Sequence, residues 1–396
     1  MSKIFITGIG LVSAIGMSVD ENLNSLRNRR TGISQIELYR TKYAGILPSG
    51  EIKITSEKLA ESFPGLSGPK LTRTSLLALS AARDAISDAG LDDNILRSSD
   101  TALICGTTVG GMCLTDELFH DANSTNDPTQ YVASYDYASV TLALQKYFGV
   151  LGELSTINTA CSSSANAIIY GARLIQYGYA KRAIVGGADS LAKFTINGFN
   201  ALNILSSEHC APFDRDRKGL NLGEGAAFLV LEKEEDIKEK NVYANLSGFA
   251  NRNDAYHPSS NSPNGEGPYL SMQKALQHAS LNTVDINFIN AHGTGTENND
   301  ETETIAMKRL FGTVPPFAST KSYTGHTLGA AGAIGAVYSI LNIKYQEVYP
   351  SLAFQNPIQD IGIAPVLEYS KQKVDHVMSN SFGFGGNCST LIFSRP

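Results

Sequence analysis

The chain has 396 residues, enough at about 150 per domain for two to three units or for one large two-lobed fold. Its 32 basic and 38 acidic residues leave a net charge of -6, and charged residues are 18% of the chain, below the roughly 25% of soluble domains, which points to a large buried fraction or an interface. The acidic balance and the absence of like-charge runs exclude an extended nucleic-acid-binding surface and leave room only for a local basic patch that docks an acidic partner.

The N-terminus, Lys3 followed by the apolar residues 4–16, imitates a secretory signal, but Gly8, Gly10 and Gly16 break the run and favour a strand and loop. Short β-branched runs at 4–7, 102–105, 183–185, 227–231, 288–290 and 391–393 read as strands alternating with helical stretches, the pattern of an α/β protein. Leu77, Ala81, Ala85 and Ala89 recur every fourth residue and end at Gly90, which predicts an amphipathic helix with a glycine stop. A small-residued helix follows Cys161, with Ala165, Ile168, Ala172 and Ile175 on one stripe. Residues 232–240 carry mixed charge and read as a solvated helix, while 251–267, rich in Asn, Ser, Pro and Gly, read as a long surface loop and the division between two halves. The apolar stretch 328–341 is too short and too glycine-rich to span a bilayer and reads as a buried helix, so no membrane segment is expected.

The halves echo one another: a strand and turn lead to Cys161 at the head of one helix, and 320–325 lead to His326 at the head of another. A helix N-terminus carries partial positive charge and free amide donors, so it can depress a thiol pKa and cradle an oxyanion. Cys161, in Asn158-Thr159-Ala160-Cys161-Ser162-Ser163-Ser164, has the tight turn and small neighbours a nucleophilic thiol needs; the alternative is a buried structural cysteine. His292, in Asn290-Ala291-His292-Gly293-Thr294-Gly295-Thr296, follows a predicted strand at the end where α/β folds place ligands, against a hydrogen-bonded turn or a phosphate cradle. His326, in Thr324-Gly325-His326-Thr327-Leu328-Gly329, is expected to stay neutral beside the helix dipole and to donate to a developing oxyanion, against simple packing.

Further along, Asp300 reads as a helix-start acid, and Glu303 as a group able to orient Lys321. Residues 380–387 form a glycine-aromatic loop that could merely turn the chain. Arg215, Arg217 and Lys218, interleaved with acids, read as a solvated ion-pair network, and His120, His209, His257, His278 and His376 as surface or structural. Five widely spaced cysteines, Cys105, Cys113, Cys161, Cys210 and Cys388, contain no C-x-x-C, so reduced thiols in a cytoplasmic protein are expected, not disulfides or a zinc site.

In combination, TACSSS, NAHGTGT, TKSYTGHTLGAAGA and NSFGFGG, in this order, resemble the elongating β-ketoacyl-(acyl-carrier-protein) synthases, condensing enzymes of fatty-acid and type II polyketide assembly. The likeness runs from Ile4 to the last strand. It implies a thiolase-like fold of two similar α/β halves in a five-layered αβαβα arrangement, with residues 1–250 carrying the nucleophile and 251–396 the two histidines. By the same resemblance, Cys161 accepts the acyl group from acyl carrier protein, and His292 and His326 act on the malonyl group. Lys321 organises the site, Phe384 gates it and shares the oxyanion amides with Cys161, and Val109 walls the acyl pocket. No cofactor and no metal are implied. Lys70 and Arg73 fall where the family keeps carrier-protein docking cations, and Arg27, Arg29 and Arg30 form the other arginine cluster. A homodimer is expected, with a heterodimer carrying a chain-length-factor-like partner as the alternative.

Three departures point toward a divergent branch, one devoted to specialised polyketide or polyene chains. Gly335 stands where the family usually has Glu, which leaves Glu303 as the sole acidic partner for Lys321. Asn387-Cys388 replaces the usual Thr-Asn, and 206–210 is shorter and less basic. Two rivals remain: a coenzyme-A-dependent thiolase using Cys388 as a second active cysteine, and a non-catalytic chain-length factor, which would lack the nucleophile.

Overall fold

Gly8 and Gly10, which interrupt the signal-like N-terminus, allow a close approach: a Cβ there would lie 2.3 Å from the Ala85 carbonyl and 2.0 Å from that of Ala81. The Ala81–Ala85–Ala89 stripe of the helix Arg73–Asp88 therefore sits directly on β1 (Ile4–Ser13), which is buried along its whole length. The computed structural model describes residues 3–66, 71–124, 129, 131–237, 240–358 and 361–396.

The other strands are β2 (Thr101–Gly106), β3 (Leu154–Ile157), β4 (Arg182–Asp189), β5 (Gly225–Lys233), β6 (Ala244–Asn253), β7 (Phe288–Asn290), β8 (Phe317–Ala318), β9 (Glu347–Val348), β10 (Ser370–Lys371), β11 (His376–Gly383) and β12 (Asn387–Ser394). Strands β9 and β10 form a ribbon, and the other ten make one sheet in the order β3-β2-β4-β5-β1-β6-β12-β11-β7-β8. That sheet is a pattern used twice. In the first half β3, β2 and β4 run parallel, followed by antiparallel β5 and β1; in the second half β8, β7 and β11 run parallel, followed by antiparallel β12 and β6. The halves meet through a short β1–β6 pairing, Phe5 opposite Asn245 and Ile6 opposite Ala244.

The helices repeat with the strands. Arg73–Asp88 covers the outer face of the first half-sheet and Glu266–Ala279 that of the second, while Ser163–Gln176 and Ala331–Tyr345 pack together between them and touch strands of both halves. The result is the expected five-layered αβαβα order. The Ala331–Tyr345 helix is apolar almost all round because both of its sides face a sheet. Cys161 and His326 precede the two central helices, which brings the echoing segments to one place. Among the described residues no helix is long and apolar enough to cross a membrane.

Two expectations change. Among the described residues of 232–240 there is no solvated helix: Glu232 lies in β5, is buried, and accepts from Thr7 Oγ1 at 2.6 Å and Lys240 Nζ at 2.8 Å, and Glu234–Asp236 form a short turn. The loop expected over 251–267 is shorter, since β6 continues to Asn253 and a helix begins at Glu266, so residue 250 falls inside a strand of the second half.

Candidate active site

The chain leaves β3 through a turn in which Ala160 takes φ +53, then presents Cys161 one residue before the capping Ser162 of the Ser163–Gln176 helix. Ser163 Oγ ties this turn together by accepting from the Thr159 amide at 2.9 Å and donating to the Ala160 carbonyl at 2.6 Å. Opposite, His326 follows Gly325 at φ +69, and its Nε2 lies 3.0 Å from Cys161 Sγ. His326 Nδ1 accepts the Leu328 amide at 3.3 Å, which places the ring proton on Nε2, facing the sulfur.

His292 leaves β7 into a loop turned by Gly293 and Gly295, both at positive φ. Its ring is nearly perpendicular to that of His326, with centroids 5.4 Å apart. Lys321 is buried, donates to the His292 carbonyl, and holds its ammonium 3.4 Å from His292 Nδ1, so the proton of this ring also belongs on Nε2. Cys161 Sγ and one nitrogen of each ring all fall within 4.8 Å of one another. Such a trio resembles a metal site, but both outer ring nitrogens face donors, one of them a cation, and the inner nitrogens therefore offer hydrogens where a metal needs lone pairs.

Burial pushes both histidines well below their ordinary range, with the Lys321 charge adding to it, so both rings are neutral. Burial likewise lowers Lys321 to about 8. The thiol behaves against expectation: burial pushes Cys161 up to about 11, and it outweighs the pull of Lys321 and of the backbone amides of Phe384 and Cys161 itself. The resting site is a neutral thiol beside two neutral imidazoles.

Glu303 does not pair with Lys321 directly. Its buried carboxylate accepts the His292 and Gly293 amides, each at 2.8 Å, and Asn380 Nδ2 at 3.2 Å, so it shapes the histidine loop and reaches Lys321 only as a nearby charge; burial pushes it up to about 7. Asp300 is more than a helix-start acid, since it is fully buried and accepts the Phe213 amide at 2.7 Å and the Thr294 amide at 2.9 Å. Arg217 is not solvated either. It is buried and donates to the carbonyls of Asp214, Thr296 and Glu297, whereas Arg215 and Lys218 keep the expected surface pairs with Asp216 and Glu208.

A cavity of about 460 Å³ opens onto Cys161, His292 and His326, with Thr294 and Thr296 on its wall. Phe384 stands at it, partly exposed and stacked on Phe199 at 5.7 Å. Val109 does not line this cavity; it is fully buried among Met112, Leu191, Ile196 and Leu328. Cys388 does not line this cavity: it is buried against Gly267, and burial pushes its thiol well above the ordinary range, which removes the second active cysteine of the thiolase rival. Gly335 is closely met by Asn290, whose Nδ2 donates to the Gly335 carbonyl at 2.8 Å and would lie 2.9 Å from a Cβ there.

The docking expectation fails at Arg73. Its guanidinium is bidentate to Glu224, at 2.6 and 2.9 Å, and donates to the carbonyls of Ile52 and Ile54, so it is a structural cation. Lys70 lies outside the described residues. Arg27 and Arg29 are paired with Glu347 and Glu368. Sequence reasoning missed Asp189, a buried carboxylate at the end of β4. It accepts from Thr107 Oγ1 at 2.7 Å, the Val109 amide at 2.8 Å and the Gly329 amide at 2.7 Å, and so joins the segment 107–109 to the segment after His326. No local signal marks it, because its partners lie far away in the chain.

Two family models match in tandem, the beta-ketoacyl synthase N-terminal domain over residues 1–237 and the C-terminal domain over 243–355. The chain belongs to the beta-ketoacyl synthase family. A 3-oxoacyl-(acyl-carrier-protein) synthase 2 of Vibrio cholerae serotype O1 is 31% identical, with 99% of each chain covered. Among solved structures, the ishigamide ketosynthase/chain length factor superposes with a TM-score of 0.94 at 29% identity, covering 100% of this chain and 99% of that one. A type II polyketide synthase acyl-carrier protein in complex with its ketosynthase bound to the hexaketide gives 0.88 at 27%, with 100% of both chains covered. The protein is thus a condensing acyltransferase with the thiolase-like fold of its family.

Proposed function

We propose that this ketosynthase joins an acyl group held on Cys161 to the two carbons left by malonyl-acyl carrier protein, making 3-oxoacyl-acyl carrier protein in fatty-acid elongation. The convergence of Cys161 Sγ with the two Nε2-protonated histidines carries this reading. In the first half-reaction the Cys161 sulfur attacks the acyl thioester as its proton leaves, the carrier thiol departs and takes up a proton, and the amides of Cys161 and Phe384 stabilise the tetrahedral oxyanion. In the second, malonyl carrier protein loses carbon dioxide and its electron pair becomes an enolate. The Nε2–H groups of His292 and His326 donate to the enolate oxygen, its carbon attacks the Cys161 thioester, and the sulfur leaves and is reprotonated. One proton is consumed in the complete reaction, and no cofactor or metal takes part.

Lys321 acts as the cation that fixes the His292 tautomer, Glu303 shapes the histidine loop, Phe384 gates the cavity, and Val109 limits the acyl chain. Lys70 remains the docking cation of this reading, and Arg73 leaves it. The nucleophile-bearing half, 1–250, and the histidine-bearing half, 251–396, remain the division of this reading, with β6 at the seam between them.

The partners are acyl carrier protein and a second subunit, supported by the complexes that the structural relatives form. Strand β3 is an edge strand with none of its residues fully buried, and Leu142 and Leu151 beside it are 55% and 65% exposed, the kind of apolar edge that pairs with another chain. A homodimer satisfies it, and the likeness to a ketosynthase/chain length factor favours a specialised polyketide or polyene pathway as the second reading. A cytoplasmic place is supported by five cysteines that are all unpaired.

Brief mixing with saturated and conjugated acyl carrier proteins, followed by intact-protein mass spectrometry and peptide mapping, tests this. An adduct on Cys161 from saturated chains supports fatty-acid elongation, and selective loading by conjugated chains supports the specialised pathway. Labelling by acetyl-coenzyme A alone overturns both.

A further inference from the structure

One side-chain oxygen of Asn387 faces three donors: Asn166 Nδ2 at 2.9 Å, Asn251 Nδ2 at 2.6 Å and Ser162 Oγ at 2.8 Å, whose one hydrogen it shares with the Thr159 carbonyl at 2.7 Å. These donors come from the turn that carries Cys161, from the helix behind it and from β6, while Asn387 itself opens β12. Asn166 closes the cluster. Its Oδ1 accepts Asn251 Nδ2 at 3.0 Å and Ser389 Oγ at 2.9 Å, and its Nδ2 donates to Thr159 Oγ1 at 2.8 Å.

The place of this cluster matters because of what its two ends carry. Ser162 directly follows Cys161, and Asn387 follows Phe384 across Gly385 and Gly386, both at positive φ. The chain entering Phe384 passes directly over the Cys161 turn, where a Cβ on Gly383 would lie 2.7 Å from the Thr159 carbonyl and 3.1 Å from the Cys161 amide nitrogen, and the amides of Phe384 and Cys161 both favour the Cys161 thiolate. Neither segment holds its shape alone. Ala160 at φ +53 sits in a left-handed conformation that costs an L-residue about 1 kcal/mol, and a glycine pair has little preference of its own. A single side chain therefore ties together two segments of weak intrinsic preference, drawn from the two halves of the fold.

We propose that Asn387, through Ser162 and with Asn166 and Asn251, is a positioning residue that fixes the Phe384 amide relative to the Cys161 amide, so that both donors meet the same oxyanion. This rests on the ketosynthase reading above. It confines the role of the cluster to acyl transfer onto and off Cys161, since malonyl decarboxylation draws on the histidines and not on these amides.

The test compares native enzyme, Asn387→Ala, Asn387→Asp and Ser162→Ala in two assays: single-turnover acylation of Cys161 by an acyl-acyl carrier protein, read by intact mass, and decarboxylation of malonyl-acyl carrier protein. Displacing an oxyanion donor costs ~10- to 100-fold, so Asn387→Ala should slow acylation by that factor at an unchanged dependence on carrier concentration and leave decarboxylation as it is. Asn387→Asp keeps the accepting oxygen and should restore acylation. Native-like acylation by Asn387→Ala would overturn the proposal, as would an equal fall of both activities, which marks a merely structural residue. Should Asn387→Ala fail to fold, Asn387→Leu removes the same acceptor while filling its space and is judged by the same two ratios; Ser162→Ala, whose hydroxyl also bonds the Thr159 carbonyl and hydroxyl, reports on the Cys161 turn and the link together. A native enzyme that takes no acyl group would instead refute the ketosynthase reading, so the two failures are distinguishable.

Discussion

His326 Nε2 and Cys161 Sγ lie 3.0 Å apart across the seam between the two halves, and the Leu328 amide on the other ring nitrogen makes the imidazole a donor toward the sulfur. In the proposed mechanism this geometry has the histidine stabilise negative charge, on sulfur in one half-reaction and on the enolate oxygen in the other. It is not arranged as a base that removes the thiol proton.

That division of labour separates the two activities. Cys161→Ala should abolish condensation while decarboxylation of malonyl-acyl carrier protein persists, and His292→Ala or His326→Ala should lower decarboxylation by about a hundredfold, the order of loss for an oxyanion donor. Carbon dioxide release and product formation measured in parallel check this; condensation by Cys161→Ala would refute the role of the thiol.

Lys321 should control thiol reactivity. Its charge favours the Cys161 thiolate against the burial that raises the thiol to about 11, so removing that charge must raise the thiol further. Lys321→Met should slow iodoacetamide labelling of Cys161 at neutral pH, by about tenfold for each pKa unit that the thiol rises. Because Lys321 itself is lowered to about 8, the difference between native and variant should shrink above that pH, where the native lysine is also neutral. Labelling rates across the alkaline range, read by peptide mass, show whether the curves converge.

Arg73 tests stability and not docking. Its partner Glu224 is buried and also accepts the amides of Ile52 and Leu191, so Arg73→Ala would leave an uncompensated buried carboxylate. Breaking such a pair costs about 3 kcal/mol or more. Denaturant unfolding should register that loss, with the KM for carrier protein unchanged in whatever enzyme remains folded. Lys70→Glu should raise that KM in a salt-sensitive way, and an unchanged KM at low salt would remove Lys70 from the docking reading.

Packing of the N-terminal strand gives a final test. Gly10→Val would drive a side chain into the Ala81 carbonyl, 2.0 Å from a Cβ, and overpacking of this kind costs about 1–3 kcal/mol. A lowered melting temperature is expected, whereas a native-like one would mean that β1 and the Arg73–Asp88 helix separate more easily than their contact suggests.

Reading the chain alone reached the α/β class, the six strands placed at 4–7, 102–105, 183–185, 227–231, 288–290 and 391–393, the alanine helix, the helices after Cys161 and His326, and Cys161, His292 and His326 as candidates, which the fold brings within 4.8 Å of one another, because each is written in local periodicity or in a short motif. What the residues sit beside was decided elsewhere. Arg73 looked like a docking cation until Glu224, 151 residues away, was brought against it; Asp189 gained its role from Thr107, 82 residues earlier, and Gly329, 140 later. The helix start at Cys161 suggested a depressed thiol pKa, but the surrounding layers bury the sulfur, and desolvation outweighs the amides and Lys321. Motif and period are properties of neighbours along the chain. Burial and charge pairing depend on which distant segments the two stacked half-sheets bring together, and only the tertiary structure fixes those.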